Sequence, residues 1–216
     1  MTTVQRSIMD MLYRCDVWEG FQPANPPGPE IQGWNGNHPS LERMAATRSP
    51  DQIVIDVGVW QGQSTITMAN AMREHGIDGC VIAVDTFLGS IEHWNEGLFA
   101  RAHGAPDLYR TFLENVYHSG LTGYVIPLPQ TSTTAAALLA RLGISASVVH
   151  IDAAHEYPEV LRDAEEYWKI LRPGGWLIGD DYHETWPGVV QAAGEFSARL
   201  RRPLIIEPPK WLLQKV

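Results

Sequence analysis

The sequence predicts an α/β protein built on a doubly wound, mostly parallel sheet that closes with a C-terminal antiparallel hairpin. Three observations predict it. From residue 51 onward, short apolar runs alternate with helical segments. The runs are apolar throughout, as in strands covered by helices on both faces. Several of them end in Asp or Gly, at the carboxyl ends where such sheets bind ligands.

The elements follow in order. Val4, Ile8, Met11, Leu12 and Cys15 recur at helical spacing, so residues 1–20 read as an amphipathic helix. Residues 21–38, rich in proline, glycine and asparagine, form a loop long enough to be a lid. His38-Pro39-Ser40 opens a short helix expected to end near Pro50. Ile53-Val54-Ile55 is a strand, 64–75 a helix and Val81-Ile82-Ala83-Val84 the next strand. A glycine-rich, aromatic stretch spans 86–106 and offers a second lid. Helices at 107–119, 132–142 and 157–171 alternate with strands at Tyr124-Val125-Ile126, Val148-Val149-His150-Ile151 and Trp176-Leu177-Ile178. Arg172-Pro173-Gly174-Gly175 stops the helix that precedes the last of these. A helix at 188–199 and a hairpin of 203–206 with 211–214 complete the chain. One domain is expected over 1–216, with 1–50 as a helical cap and lid and 51–216 as the binding core.

Composition narrows the partners. The chain has 216 residues, 44% hydrophobic and 19% charged, a globular balance. Its formal net charge is −9, and no basic run exceeds Arg201-Arg202. Nucleic acid and anionic membranes both require clustered positive charge, so neither is expected as a partner. Cys80 opens an apolar run and reads as a core thiol, and with Cys15 it makes no secreted scaffold. No apolar signal core or bilayer-length run is present, so a cytoplasmic protein is expected.

Asp56-Val57-Gly58-Val59-Trp60-Gln61-Gly62-Gln63-Ser64 is a strand end, a turn and a helix start. Gly58 permits close backbone approach to a ligand, Gly62 relieves the turn, and Ser64 is a candidate cap. The spacing is not that of a dinucleotide cradle. A carboxylate at Asp56 repels a diphosphate and suits a cationic ligand such as S-adenosylmethionine. Asp85 ends the second strand, where an acid can accept both ribose hydroxyls.

Two further strand ends are acidic: Asp152 with His155, and Asp180 with Asp181. Carboxylates packed together repel one another, and a hard divalent cation removes the conflict, with oxygen ligands favouring Mg²⁺, Ca²⁺ or Mn²⁺ over Zn²⁺. Neighbours on an extended strand point to opposite faces, so Asp180 and Asp181 share an ion only if the strand ends between them. His155 beside such a cluster is a candidate general base. His150, inside its strand, reads as a satisfied core residue.

Taken together, Ile55-Asp56-Val57-Gly58-Val59-Trp60-Gln61-Gly62, Val84-Asp85-Thr86-Phe87, Ile151-Asp152-Ala153-Ala154-His155-Glu156-Tyr157 and Leu171-Arg172-Pro173-Gly174-Gly175-Trp176-Leu177-Ile178-Gly179-Asp180-Asp181-Tyr182 resemble the class I S-adenosylmethionine-dependent methyltransferases. The similarity is greatest to the Mg²⁺-dependent sugar O-methyltransferases of macrolide and aminocoumarin biosynthesis, and Trp186-Pro187-Gly188-Val189 agrees with it. The resemblance covers roughly residues 50–200. It implies a Rossmann-like methyltransferase sheet and places Asp56 and Gly58 beside the methionine part of the cofactor. Asp85 then holds the ribose, and Ser132, after Gln130-Thr131, lies by the adenine. Asp152, Asp180 and Asp181 match the ion ligands, and His155 matches the base. With the turn residues, the cofactor set becomes Asp56, Gly58, Gly62, Ser64, Asp85, Ser132 and Asp152. Ala154 departs from relatives that carry a second Asp there. Catechol-type relatives use an Asn ligand, whereas this chain offers only acids.

The expected reaction is methyl transfer from S-adenosylmethionine to a hydroxyl of a small-molecule or oligosaccharide acceptor. Trp34, Trp94, Trp186 and Tyr182 are candidates to stack on sugar faces, and the N-terminal helix is a candidate homodimer contact. The alternatives are a catechol or phenol methyltransferase, and a metal-dependent hydrolase or oxygenase that uses Asp152, His155 and Asp180 with His183 as a second imidazole. A non-catalytic nucleotide sensor leaves the acidic cluster without a purpose.

Overall fold

The first strand, β1 (Gln52–Val57), is buried at every position, which is why its sequence shows no alternation. The protein is described by a computed structural model that covers residues 1–47, 49 and 51–216. Before β1 come α1 (Thr3–Leu12) and α2 (Pro39–Ala45). After it come α3 (Gln63–Glu74), β2 (Gly79–Asp85), α4 (Ile91–Glu96), β3 (Arg101–Ala102), β4 (Ala105–Pro106), α5 (Leu108–His118), β5 (Val125–Pro129) and α6 (Ser132–Arg141). β6 (Ala146–Ile151), α7 (Tyr157–Ile170), β7 (Leu171–Gly179), α8 (Pro187–Leu200), β8 (Ile205–Glu207) and β9 (Lys210–Gln214) follow.

Among the described residues, seven strands form the main sheet in the order β5-β2-β1-β6-β7-β9-β8. β5, β2, β1, β6 and β7 are parallel, and β9 runs antiparallel to both β7 and β8. This is the doubly wound, mostly parallel sheet that the sequence predicts, with the expected C-terminal antiparallel pair. The chain steps outward from β1 to β2 and β5, then returns to the other side of β1 for β6 and β7. That reversal opens a crevice beyond the carboxyl ends of β1 and β6.

The N-terminal segment is tied to the edge strand β5. Thr2 caps α1 by accepting from the Gln5 amide at 3.0 Å. The Gln5 side chain donates to the Thr122 and Val125 carbonyls, Trp18 Nε1 donates to Val125 O at 2.8 Å, and Tyr13 OH donates to Pro127 O at 2.6 Å. Carbonyls on an open sheet edge are thereby satisfied.

Three boundaries differ from expectation. α1 ends at Leu12, because Arg14 takes a left-handed φ of 57° and the chain turns. α2 ends at Ala45 with Ala46 as its C-cap, short of the end expected near Pro50, which itself lies outside the described residues. Arg172-Pro173-Gly174-Gly175 does stop α7, but β7 already starts at Leu171, which pairs with Ala146 before a register shift. The 86–106 stretch contains α4 and the two-residue ladder of β3 with β4. No helix among the described residues is long and apolar enough to cross a membrane.

Candidate active site

A cavity of about 650 Å³ fills the crevice. Its wall is built from the carboxyl ends of β1, β2, β6 and β7, the segment that leads into α6, one face of α7, and both lid segments.

The turn after β1 forms the floor. Gly58 has φ 82°, and a Cβ there would collide with the backbone carbonyl of Asp152. The close approach that requires glycine is therefore to the end of β6, and it brings the first and fourth parallel strand ends together beneath the cavity. Asp56, Gly62 and Ser64 were expected against the cofactor, yet none of them lines the cavity. Asp56 points to the opposite face of β1 from Val57 and is fully buried. Its Oδ2 accepts from Ser64 Oγ at 2.8 Å and Thr65 Oγ1 at 2.6 Å, while its Oδ1 meets His150 Nδ1 at 2.7 Å. Ser64 thus braces Asp56, and the N-cap of α3 is Gly62 at φ 97°. A Cβ on Gly62 would press to 3.0 Å from the Phe112 ring. These three residues shape the turn from below.

Asp85 and Ser132 do line the cavity. Asp85 accepts from the Trp60 amide at 3.0 Å and the Phe87 amide at 2.7 Å. Burial pushes its carboxyl up, and those amide bonds oppose the shift. Ser132 opens α6 and donates to Asp163 at 2.7 Å. Asp163, on α7, is buried in the wall and was missed in the sequence, where its one signal was an acid on the inward side of an amphipathic helix.

The acidic strand ends converge on the same cavity. β7 stops at Gly179, and Asp181 adopts φ 60°, so the chain turns between the two acids and both side chains face the crevice. Donor atoms of Asp152, His155 and Asp181 lie within 4.8 Å of one another, and those of His150, Asp152 and Asp180 do so as well. Burial pushes the Asp152 carboxyl well up, and the neighbouring Asp180 and Asp181 charges add to the push. His155 Nε2 meets Asp181 Oδ2 at 2.9 Å. That hydrogen bond raises the imidazole pKa against the lowering effect of burial. The ring also stacks on Trp186 at 3.9 Å and 20°.

Lys210 was not anticipated. It is fully buried at the start of β9, where it ion-pairs with Asp180 and lies 3.0 Å from His150 Nε2. His150, with both ring nitrogens engaged, is the satisfied core residue that the sequence suggested.

The lids meet over the mouth. His93 of α4 stacks on Trp34 at 5.4 Å and contacts Trp60 at 3.9 Å. Of the aromatic candidates, Trp34 and Trp186 line the cavity. Trp94 is occupied within its own lid, donating to Leu88 O at 2.7 Å under the Arg101 guanidinium, and Tyr182 packs against the core. His183 is exposed and bonded to Thr185 at 2.9 Å.

A reversal crevice of this strand order, lined by Asp85 and Ser132 at one side and by Asp152, Asp180 and Asp181 at the other, is the class I methyltransferase architecture, and solved structures of that architecture align with it. The O-methyltransferase NovP aligns with TM-score 0.61 and 19% identity over 82% of this chain and 78% of its own. CalS11, described as a TDP-rhamnose 3′-O-methyltransferase of calicheamicin biosynthesis, aligns with TM-score 0.59 and 18% identity over 81% and 76%. TomG from Streptomyces achromogenes, an O-methyltransferase solved with S-adenosylmethionine, aligns with TM-score 0.58 and 14% identity over 100% and 91%. Among curated proteins no sequence matches. The methyltransferase domain family matches residues 55–182, more than half of the chain, and the chain belongs to that family.

Proposed function

We propose that the protein transfers a methyl group from S-adenosylmethionine to a hydroxyl of a sugar or saccharide, with a Mg²⁺ or Mn²⁺ ion held at the acidic strand ends. One observation carries the reading: the Asp152, His155 and Asp181 donors lie within 4.8 Å of one another on the same cavity that Asp85 and Ser132 line. The names of NovP and CalS11 as O-methyltransferases support it, and CalS11 acts on a sugar.

Asp85 receives the ribose hydroxyls, and Ser132, steadied by Asp163, lies at the adenine end. The carboxylate oxygens of this cluster suit a hard dication, and His155 beside them is kept for the proton. Asp152 and Asp181 would hold it together with Asp180. Such an ion lowers the pKa of a coordinated hydroxyl. His155, oriented by Trp186 and Asp181, takes the hydroxyl proton, and the oxygen attacks the methyl carbon in line with sulfur as the S–C bond breaks and S-adenosylhomocysteine leaves. The Asp181 carboxylate favours the protonated ring and so stabilises the imidazolium formed when His155 takes the proton. The lids exclude water from the transfer.

An oxygenase centre requires two imidazoles and a carboxylate on one face. His183, bonded to Thr185 and exposed, does not join the cluster in that role. The test is transfer of labelled methyl to a panel of glycosides and catechols. Chelation should abolish transfer while leaving cofactor binding intact, and added Mg²⁺ should restore it. Undiminished transfer in excess chelator refutes the ion, and absence of cofactor binding refutes the whole reading.

A further inference from the structure

We propose that Lys210 is a positioning residue of the ion centre: a fixed internal cation that holds Asp180 in its ligating orientation and sets the charge of the acidic cluster. This rests on the ion centre proposed above.

An isolated ammonium in the protein interior costs several kcal/mol unless it is paired and hydrogen-bonded. Lys210 is fully buried in a strand whose next residues, Trp211, Leu212 and Leu213, are apolar. It meets two partners, the Asp180 carboxylate and His150 Nε2 at 3.0 Å. His150 Nδ1 lies 2.7 Å from Asp56 Oδ1, which accepts the Nδ1 proton and leaves Nε2 as the acceptor for Lys210. Asp56 is itself fixed by Ser64 and Thr65.

Four side chains thus run from β1 through β6 and β9 to the end of β7. Asp56, His150 and Lys210 stay outside the cavity, and Asp180 lines it. Whatever this line does at the site it does through Asp180. The other Asp180 oxygen accepts from the Asp181 amide at 2.8 Å. The carboxylate is therefore gripped at both oxygens and turned toward Asp152, whose donors lie within 4.8 Å of its own.

Charge supports the same role. Asp152, Asp180 and Asp181 bring three negative charges, and Lys210 offsets one of them. The remaining two match a divalent cation, so a loaded cluster carries no net charge into a low-dielectric crevice. Lys210 cannot withdraw to solvent, because His150 lies behind it and no part of it is exposed. A mobile competitor for the ion would not be anchored in this way.

The test uses the full chain without cofactor, with Mn²⁺ binding followed by electron paramagnetic resonance and S-adenosylmethionine binding by calorimetry. Wild-type protein should bind Mn²⁺, and failure to do so overturns the ion centre together with this role. Lys210→Met should weaken Mn²⁺ roughly tenfold or more, the scale of outer-shell ligand support, with cofactor affinity unchanged. A folded Lys210→Met protein that binds Mn²⁺ as well as wild type, or more tightly, overturns the role of Lys210 alone. Lys210→Met leaves a buried carboxylate unpaired, and should it fail to fold, Asp180→Asn/Lys210→Met removes both charges and is compared with Asp180→Asn. Equal Mn²⁺ affinity in those two variants supports action through Asp180, and a further loss in the double variant overturns it.

Discussion

His155 concentrates the residue-scale argument, because three constraints act on one ring. It follows Asp152 by three positions, stacks on Trp186 at 3.9 Å, and meets Asp181 at 2.9 Å. The stack fixes the plane and the carboxylate fixes the rotation, so the ring is pre-oriented before an acceptor arrives. His155→Ala removes the proposed base without touching Asp85 or Ser132, the proposed cofactor contacts. Turnover should fall about 10²- to 10⁴-fold, the usual contribution of a positioned base. Cofactor affinity measured by calorimetry should stay at the wild-type value. Full turnover in that variant removes His155 from the chemistry. Asp56 teaches the converse. An acid two residues before a glycine turn looked like a cofactor contact, and its pleat position instead buried it on the far side of β1.

At the scale of elements, the parallel strands were legible because burial on both faces leaves each as an unbroken apolar run. α4 was not, since its six residues show no buried face, and a ladder of two residues carries no period. The start of β7 was hidden by Arg172-Pro173-Gly174-Gly175, which reads as a helix stop and serves also as strand. The first lid is pinned by a device that only tertiary structure reveals. Glu114 of α5, 8% exposed, accepts from the Ala24 amide at 2.8 Å, Asn25 Nδ2 at 2.9 Å and Arg110 Nε at 3.1 Å. Burial pushes its carboxyl up, but the bonds from Asn25, Ala24 and Arg110 prevail and hold it below the ordinary value of 4.5. A depressed folded-state pKa gives stability that is complete above the unfolded value and is lost as pH falls through the folded one. Glu114→Gln should therefore destabilise the protein by about 1–2 kcal/mol near pH 7, with the difference vanishing in acid below the folded-state pKa. Urea unfolding at both pH values checks this, and a deficit that persists in acid contradicts the linkage.

For the molecule as a whole, the site was half legible. Asp85, Asp152, Asp180 and Asp181 announce themselves because each ends an apolar run, and parallel topology gathers such ends. Lys210 gave no local signal, since its partners Asp180 and His150 lie 30 and 60 residues away and only the antiparallel return of β9 brings them together. The cavity wall is strongly one-signed. Among the described residues it carries Asp85, Glu92, Glu96, Asp152, Glu159, Asp163, Asp180 and Asp181 against Arg162, on a chain of net charge −9. The proposed dication and the cofactor sulfonium would offset the inner acids, whereas Glu92, Glu96 and Glu159 lie outside the proposed roles. A cleft of one sign repels ligands of that sign over a Debye length, about 8 Å at physiological salt. An acceptor bearing a diphosphate, such as a nucleotide sugar, should thus have a lower kcat/KM than the same sugar as a neutral glycoside. Raising ionic strength should narrow the gap, because screening acts on the charged acceptor alone. Steady-state kinetics on a matched pair at low and high salt decide it. A nucleotide sugar preferred at low salt would show that Arg162 outweighs the acids around it, and would assign this enzyme the acceptor class of CalS11.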